Sequence, residues 1–202
     1  IDKFPFASDS NAENVGDLTD GGYYGATCSS ATYGYLCGGI SRDGGGSNGV
    51  IDKNSFASDG DSTDVGDQEV TTNHNAGASS YTHGYDCGGA PSNKDTIQKF
   101  SFSAGGNSSD IGNLTVGRGT VSGQSYITHG YIAGGGGSSK IIDKFSFSSD
   151  ADATGVGNLP TGFGYRAGTS ATAYGYVAGG YPPAGRDEIE KFSFTSDVDG
   201  TD

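Results

Sequence analysis

The sequence predicts an all-β protein, a kind of β-propeller made of four-stranded antiparallel blades with about 47 residues per repeat. Three observations lead to this prediction. A motif written I-D-K-F-S-F, with small variations, starts at positions 1, 51, 97, 142 and 189. Two further motifs, V-G-N-L and T-H-G-Y-x-x-G-G, recur in the same phase. Helical apolar periodicity is absent, because glycine interrupts every window that could support it. Such a repeat buries its faces only by stacking on neighbours.

Each repeat holds four strand candidates, named a to d. In the stretch 121–159 these are VSGQSYI, GYIAGG, DKFSFSS and GVGNL. Strand c alternates, so Phe145 and Phe147 should share one face of the sheet. The pair recurs as Phe4/Phe6, Phe100/Phe102 and Phe192/Phe194. In the second copy Asn54 replaces the first Phe, and we expect weaker packing there.

The whole chain, 1–202, is predicted to be a single repeat domain. It contains four a, four b, five c and four d strands, starts at a c strand and stops where a fifth d strand should begin. A closed ring of four blades has no use for a fifth c strand. We therefore expect an incomplete ring or a segment of a longer array, with more repeats in a longer chain or partner chains completing it.

Composition narrows the function classes. A net charge of −13 and a pI near 4.3 disfavour nucleic acid as a partner, because phosphate binding needs concentrated Lys and Arg. No apolar run is long enough to predict membrane insertion. Of three cysteines, Cys37 and Cys87 stand where other repeats have Ala, which predicts small buried side chains. A cross-strand disulfide between Cys28 and Cys37 is the alternative.

An antiparallel meander separates the connections between strands. The a–b and c–d turns should lie at one end of the ring, and the b–c and d–a loops at the other. The first set is nearly constant, whereas the second varies in length and content. Variable loops on a rigid scaffold are where binding usually occurs, although relaxed drift in loops without a role would give the same pattern. We call the end with the b–c and d–a loops the variable end.

The variable end also collects basic and aromatic side chains. Every Lys or Arg outside the repeated I-D-K motif falls in these loops. Aromatic rings beside Arg suit stacking on sugar rings, and they suit a protein partner equally well. The predicted ligand-binding residues are Tyr23, Tyr24, Arg42, His74, Lys94, Arg118, Phe163, Tyr165, Arg166, Tyr181 and Arg186.

The c–d turns at the constant end are rich in Asp and raise the question of a metal. Carboxylates two residues apart, as in DGDSTD and DADAT, resemble the ligand spacing of Ca²⁺ loops. The weak calcium candidates are Asp59, Asp61, Asp64, Asp150 and Asp152. Asp, Asn, Ser and Gly are also what a tight turn requires, so a purely structural turn is the competing interpretation. No other cofactor is predicted.

The double glycine of GYIAGG, the aromatic c strand and the order of elements make the chain resemble kelch repeats, over essentially its whole length. The usual Trp of strand d is replaced by Val15, Val65, Ile111 and Val156. More narrowly, the pattern IDKF-x-F-x-SD…VG-x-L…THGY-x-x-GG resembles kelch-like repeats in structural and tail-associated proteins of marine bacteriophages. This resemblance implies a virion or extracellular surface location, with other virion or appendage subunits as partners.

Three functions remain open at this point. The first is a non-enzymatic propeller that binds a host-surface glycan or protein through its variable end. The second is a purely structural component that assembles through blade edges. The third is a fragment of a kelch-type oxidase, whose copper is held by Tyr and His. Against the third, His83 and His129 occupy a repeat position that Tyr33 and Tyr174 also fill, which indicates a structural role.

Overall fold

The all-β prediction is confirmed. A computed structural model describes residues 1–181 and 185–202, and these form four antiparallel sheets arranged as a four-blade β-propeller in an incomplete ring. Within these two ranges no helix is long and apolar enough to cross a membrane. The strands of the chain's first half are β1 (Asp2–Lys3), β2 (Glu13–Asn14), β3 (Gly22–Tyr23), β4 (Ala26–Ser29), β5 (Tyr33–Ser41), β6 (Ser47–Ser55), β7 (Thr63–Asp67), β8 (Ala76–Ser79) and β9 (His83–Gly89). The remaining strands are β10 (Lys94–Ser101), β11 (Ser109–Asn113), β12 (Ser122–Ser125), β13 (His129–Ala133), β14 (Ile141–Ser146), β15 (Thr154–Asn158), β16 (Ala167–Ser170), β17 (Tyr174–Ala178) and β18 (Ile189–Ser193).

The strands follow the predicted order a, b, c, d in each blade. The first blade is β4-β5-β6-β7, with β3 added beside β5; the second is β8-β9-β10-β11 and the third β12-β13-β14-β15. The fourth blade has β16-β17-β18, and its d position is represented by a bridge between Lys191 and Thr201. β1 and β2 pair with each other as a separate c–d unit, which we call the half-blade.

The hydrophobic core lies between blades, because three b strands, β5, β9 and β13, each place a tyrosine on the c-strand Phe pair of the next blade. Tyr85 stacks on Phe147 with ring centroids 4.8 Å apart and lies 5.3 Å from Phe145. Its hydroxyl donates to the Phe147 carbonyl oxygen at 3.4 Å. Tyr35 and Tyr131 repeat this contact on their next blades. All three tyrosines are buried.

Steric constraints explain why the Gly-Tyr and Gly-Gly pairs recur in every repeat. A Cβ on Gly130 would meet the ring of Phe145, so only glycine lets this ring lie flat on the b strand. Gly84 and Gly175 face Phe100 and Phe192 in the same way. The double glycine that ends each b strand has positive φ at both residues, for example 67° and 127° at Gly134 and Gly135. This left-handed backbone favours glycine.

The copied Asp-rich turn also binds the neighbouring blade. Lys144 donates to Asp197 of the next c–d turn at 2.9 Å, and Lys99 pairs with Asp150 in the same way. Two residues further along the turn, Asp152 Oδ1 accepts the backbone N–H of Asn113 at 2.9 Å. The repeated motifs are therefore the parts that join one blade to the next.

The ring is open between the fourth and first blades. Adjacent a strands elsewhere lie side by side, but β16 is exposed at all four residues. A cavity of about 570 Å³ separates β16 from the face of the first blade that carries Leu36, Asn54 and Phe56. This gap agrees with the expectation of an incomplete ring.

The cysteines are structural. Cys37 and Cys87 are fully buried, as predicted from the alanine position they share, and all three thiols are free. The alternative disulfide is wrong because the hairpin register pairs Cys28 with Tyr35, and Cys37 with Ala26. The Cys28 thiol instead donates to the Tyr85 carbonyl oxygen of the second blade at 3.2 Å.

Candidate functional site at the variable end

The d–a and b–c loops lie together at one end, as the meander predicts. β3, in a d–a loop, pairs with the end of β5 through Gly22 and Ser41. Gly164 and Tyr181 form an equivalent bridge in the fourth blade. The predicted fourth b–c loop, 181–188, is only partly described, since 182–184 lie outside the described residues. The variable loops therefore surround one mouth of the propeller axis.

Four residues, one per blade, surround the axis at this end. Tyr24, His74, Thr120 and Tyr165 all have a left-handed backbone, with φ of 63°, 54°, 53° and 56°. Each backbone N–H donates to the carbonyl oxygen of the preceding member, at 2.7, 2.6 and 3.1 Å from His74 onward. Positive φ is uncommon and strained for residues with a Cβ, and here the ladder of hydrogen bonds holds it.

Three of these side chains form an aromatic cluster. Tyr24 stacks on His74 with centroids 4.0 Å apart, and Tyr165 lies 6.1 Å from Tyr24 and 5.7 Å from His74. Tyr23 packs edge-on against Tyr24 at 5.0 Å. About half of each tyrosine is exposed: 54% of Tyr23, 49% of Tyr24 and 51% of Tyr165. We call Tyr23, Tyr24, His74 and Tyr165 the axial cluster; it presents ring faces and hydroxyls to solvent.

Burial lowers the pKa of His74 below its usual value. Its Nδ1 is hydrogen-bonded to Asn73 Oδ1, and the Asn73 amide in turn donates to Ser47 Oγ at 2.5 Å. The imidazole is therefore neutral at neutral pH and positioned by its neighbours. It contributes a flat aromatic surface and no fixed charge.

Other predicted binding residues lie farther out at this end. The Arg186 guanidinium sits 4.4 Å from the centre of the Phe163 ring and 3.8 Å from a Glu188 oxygen. Tyr181 is 55% exposed. Arg42 is exposed and Lys94 is half-buried, and in the part of the chain that the structure describes neither forms an ion pair. None of these five contacts the axial cluster in an aromatic pair.

The structure corrects the prediction for Arg118 and Arg166, because both are buried. Arg118 donates to Asp143 at 2.7 Å and to the Gly134 carbonyl oxygen at 2.8 Å. Arg166 donates to Glu190 at 2.8 Å. Removing one partner of such a buried pair costs about 3–5 kcal/mol. These arginines anchor d–a loops to the blades and are not available to a ligand.

The five calcium candidates are engaged in hydrogen bonds. Asp59 and Asp150 accept from Lys3 and Lys99, while Asp61 and Asp152 accept backbone N–H groups of the preceding blade. Asp64 Oδ1 accepts from the Gly66 N–H at 3.0 Å. Among residues 1–181 and 185–202, no group of three or more His, Cys, Asp or Glu is placed to hold a metal ion. This geometry favours the structural interpretation of the turns, and calcium stays a prediction.

Sequence reasoning missed two features. The first is Thr120, which belongs to the axial set. The repeat spacing could have identified it, because positions 24, 74, 120 and 165 advance by the same 50, 46 and 45 residues as the I-D-K motif. The second is a depression of about 390 Å³ at the constant end, where Tyr81, Ile127 and Ala171 lie on neighbouring a–b turns. The sequence did not single out these apolar residues, because the a–b turns are nearly identical in all repeats.

The three histidines do not meet. His83 and His129 lie on a–b turns, where a neighbouring threonine hydroxyl contacts each Nδ1 at 2.9 and 2.8 Å. His74 is at the opposite end of the axis.

No protein-family model matches the chain, and comparison with curated proteins finds no significant match. The geometry therefore shows a four-blade β-propeller with an aromatic cluster on its axis.

Proposed function

We propose that this chain is a non-enzymatic binding propeller that holds a host-surface glycan or protein against its variable end. The observation that carries the proposal is the axial cluster. Three blades each contribute a ring at one point, and the strained backbone ladder fixes them in place. Half-exposed, preorganised aromatic rings bind ligands with little loss of side-chain entropy.

The chemistry suits a neutral sugar ring better than an anionic one. Tyr24 and Tyr165 offer ring faces for the apolar face of a sugar and hydroxyls for its hydroxyl groups. His74 is neutral, and two of the arginines predicted to bind the ligand, Arg118 and Arg166, are buried in ion pairs and unavailable to an anion. With a net charge of −13, the chain repels polyanionic chains at a distance.

The resemblance to kelch-like repeats of phage structural proteins supports display on a virion or an extracellular surface. The separation of His74 from His83 and His129 supports a role other than the copper chemistry of a kelch-type oxidase. Within this proposal the copied segments build the scaffold, and the variable loops meet the target.

The test compares binding of the wild type with that of a Tyr24→Ala, Tyr165→Ala double variant, on a glycan array and on host cells. We expect at least about a tenfold loss of affinity, since each stacked ring contributes roughly 1 kcal/mol. Tyr81→Ala is the matched control, because it removes an exposed tyrosine at the constant end. Undiminished binding by the double variant, or a loss caused by Tyr81→Ala, would contradict the proposal.

A second candidate function is structural assembly through blade edges. The exposure of Phe6 favours this function. Phe6 is 98% exposed, whereas the equivalent residues of other blades, Phe102, Phe147 and Phe194, each pack on a tyrosine. The open ring thus carries contact surfaces of the kind that join blades.

A further inference from the structure

The contacts between blades repeat so regularly that the missing ones can be named. At three junctions, a b-strand tyrosine covers the second Phe of the next c strand and donates to its carbonyl oxygen. Phe56 occupies this Phe position in the first blade, but among residues 1–181 and 185–202 no tyrosine ring covers it, and it is 57% exposed. Leu36 and Asn54 lie beside it on the wall of the 570 Å³ cavity.

A serine ladder near the axis is unfinished on both sides of the same opening. The N–H groups of Ser29, Ser79 and Ser125 donate to the Oγ of Ser79, Ser125 and Ser170 at 2.9, 2.8 and 2.9 Å. Continuing the ladder would require a donor for Ser29 Oγ and an acceptor for the Ser170 N–H. One a strand placed between β16 and β4 would supply both.

The half-blade lacks a neighbour on the edge that faces this opening. In every blade, the c-strand Lys lies opposite the b-strand Tyr, as in the pairs Lys53 with Tyr35 and Lys144 with Tyr131. In the half-blade, β2 is the one strand of the described residues that pairs with β1. A second cavity of about 280 Å³ lies here, between β1, Phe4 and Phe56.

We propose that this opening binds a β-hairpin with the a–b pattern of the chain's own repeats, S-x-x-x-x-G-Y-x-x-G-G. Its b strand adds to the free edge of β1, with its tyrosine opposite Lys3 and its glycine opposite Phe4. The tyrosine covers Phe56, and its hydroxyl donates to the Phe56 carbonyl oxygen. Its a strand completes the serine ladder between Ser170 and Ser29. Strand addition supplies main-chain hydrogen bonds, while the aromatic contact supplies specificity.

This inference does not depend on ligand binding at the axial cluster. It gives the second candidate function a molecular form, because the hairpin is the occupant that the blade junctions define. A partner that carries such a hairpin would close the ring into five blades.

The first test uses a synthetic peptide with the sequence of residues 121–135, which contains Ser125, Gly130 and Tyr131. We expect one peptide to bind per protein molecule in calorimetry and to raise the melting temperature of the protein. A peptide with Tyr131→Ala should bind at least about tenfold more weakly, because the ring contact is lost. On the protein side, Phe56→Ala should weaken binding, whereas Tyr24→Ala, at the other end of the axis, should not.

The second test removes the cost of ordering a free hairpin, since isolated hairpins are marginal in water. Residues 121–141 are fused before Ile1, so that the third repeat's own b–c loop leads into β1. We expect a higher melting temperature and protection of the fused segment from protease, both lost with Tyr131→Ala in the added copy. If the fusion leaves the melting temperature unchanged and its added segment is digested, the proposal is wrong. Dimers that form at high concentration and persist with the fused hairpin would overturn it too, in favour of a second copy as the occupant.

Discussion

At the scale of single residues, Asp86 shows how one repeat departs from the others. The equivalent positions are Leu36, Ile132 and Val177, so the carboxylate replaces an aliphatic side chain on a b strand. It is 1% exposed and accepts hydrogen bonds from the Asn75 amide at 2.6 Å and the Gln98 amide at 3.2 Å. Gln68 donates to it as well. Burial raises the pKa of Asp86 to about 7, and these hydrogen bonds oppose the shift.

The raised pKa predicts a pH dependence of stability. The folded state binds a proton that the unfolded state, with the ordinary pKa of 3.8, releases. The stabilisation from Asp86 is therefore complete below that value and is lost as the pH rises towards 7. Asp86→Asn should remove this pH dependence, because an amide does not titrate in this range. Among the described residues the side-chain oxygen of Asn75 has no hydrogen-bond partner, so it can accept from the new amide after a flip of the Asn75 side chain.

Thermal unfolding of both proteins between about pH 5 and pH 8 measures the effect. The melting temperature of Asp86→Asn should rise relative to wild type by about 5 °C across this range, on the order of 2 kcal/mol. Burial lowers the pKa of His74, His83 and His129. The stability that these neutral histidines contribute is therefore lost as the pH falls below 6.5. This effect on stability is opposite in sign to that of Asp86. It is common to both proteins and cancels in the difference. A difference that does not change with pH would show that Asp86 is ionised throughout.

At the scale of elements, the c–d turn joins each blade to its neighbour through hydrogen bonds. Asp152 accepts from the backbone N–H and the side-chain amide of Asn113, and in the second blade Asn107 accepts from the Asp67 N–H at 3.0 Å. Since an amide oxygen performs the role there, we expect the hydrogen bond rather than the charge to matter. Asp152→Ala should cost about 1 kcal/mol, because a backbone donor loses its acceptor, and Asp152→Asn should cost much less.

Urea unfolding of these variants, with added calcium and with a chelator, separates the two interpretations of the turn. If the turn is structural, calcium will change neither the wild type nor Asp152→Asn. A calcium-dependent increase in stability that Asp152→Asn lacks would instead establish the calcium site that the spacing of the carboxylates suggested.

The elements were predictable because packing recurs with the repeat. One period fixed the blade order, and alternation in strand c placed Phe145 and Phe147 on the face that meets Tyr85. The binding residues were predicted less well, since loop composition does not reveal burial. Arg118, Arg166 and Arg186 all stand in Gly-rich variable loops, but carboxylates from strand c, Asp143 and Glu190, hold only the first two in buried ion pairs. Those acids belong to the repeated motif, and their partners change from blade to blade.

At the scale of the whole molecule, stability should be distributed by the number of neighbours each blade has. The second and third blades have a blade on either side, whereas the half-blade and β16 border the opening. In quasi-one-dimensional arrays, stability is approximately a sum of units and of interfaces between neighbours. The core residues follow this pattern: Tyr85 and Tyr131 are fully buried, while Phe4 and Phe6 are exposed.

Native-state hydrogen exchange would read this gradient directly. We expect the slowest amide exchange in β9, β10, β13 and β14, which lie inside the two enclosed blades, and the fastest in β1, β2 and β16. The control is the fusion that adds residues 121–141 before Ile1, which should slow exchange in β1 and β2 and leave β13 unchanged. Uniform protection along the chain would mean that the sheets unfold as one unit and that the opening carries no local weakness. Slower exchange in β1 than in β13 would mean that the half-blade is held by contacts other than those between successive blades.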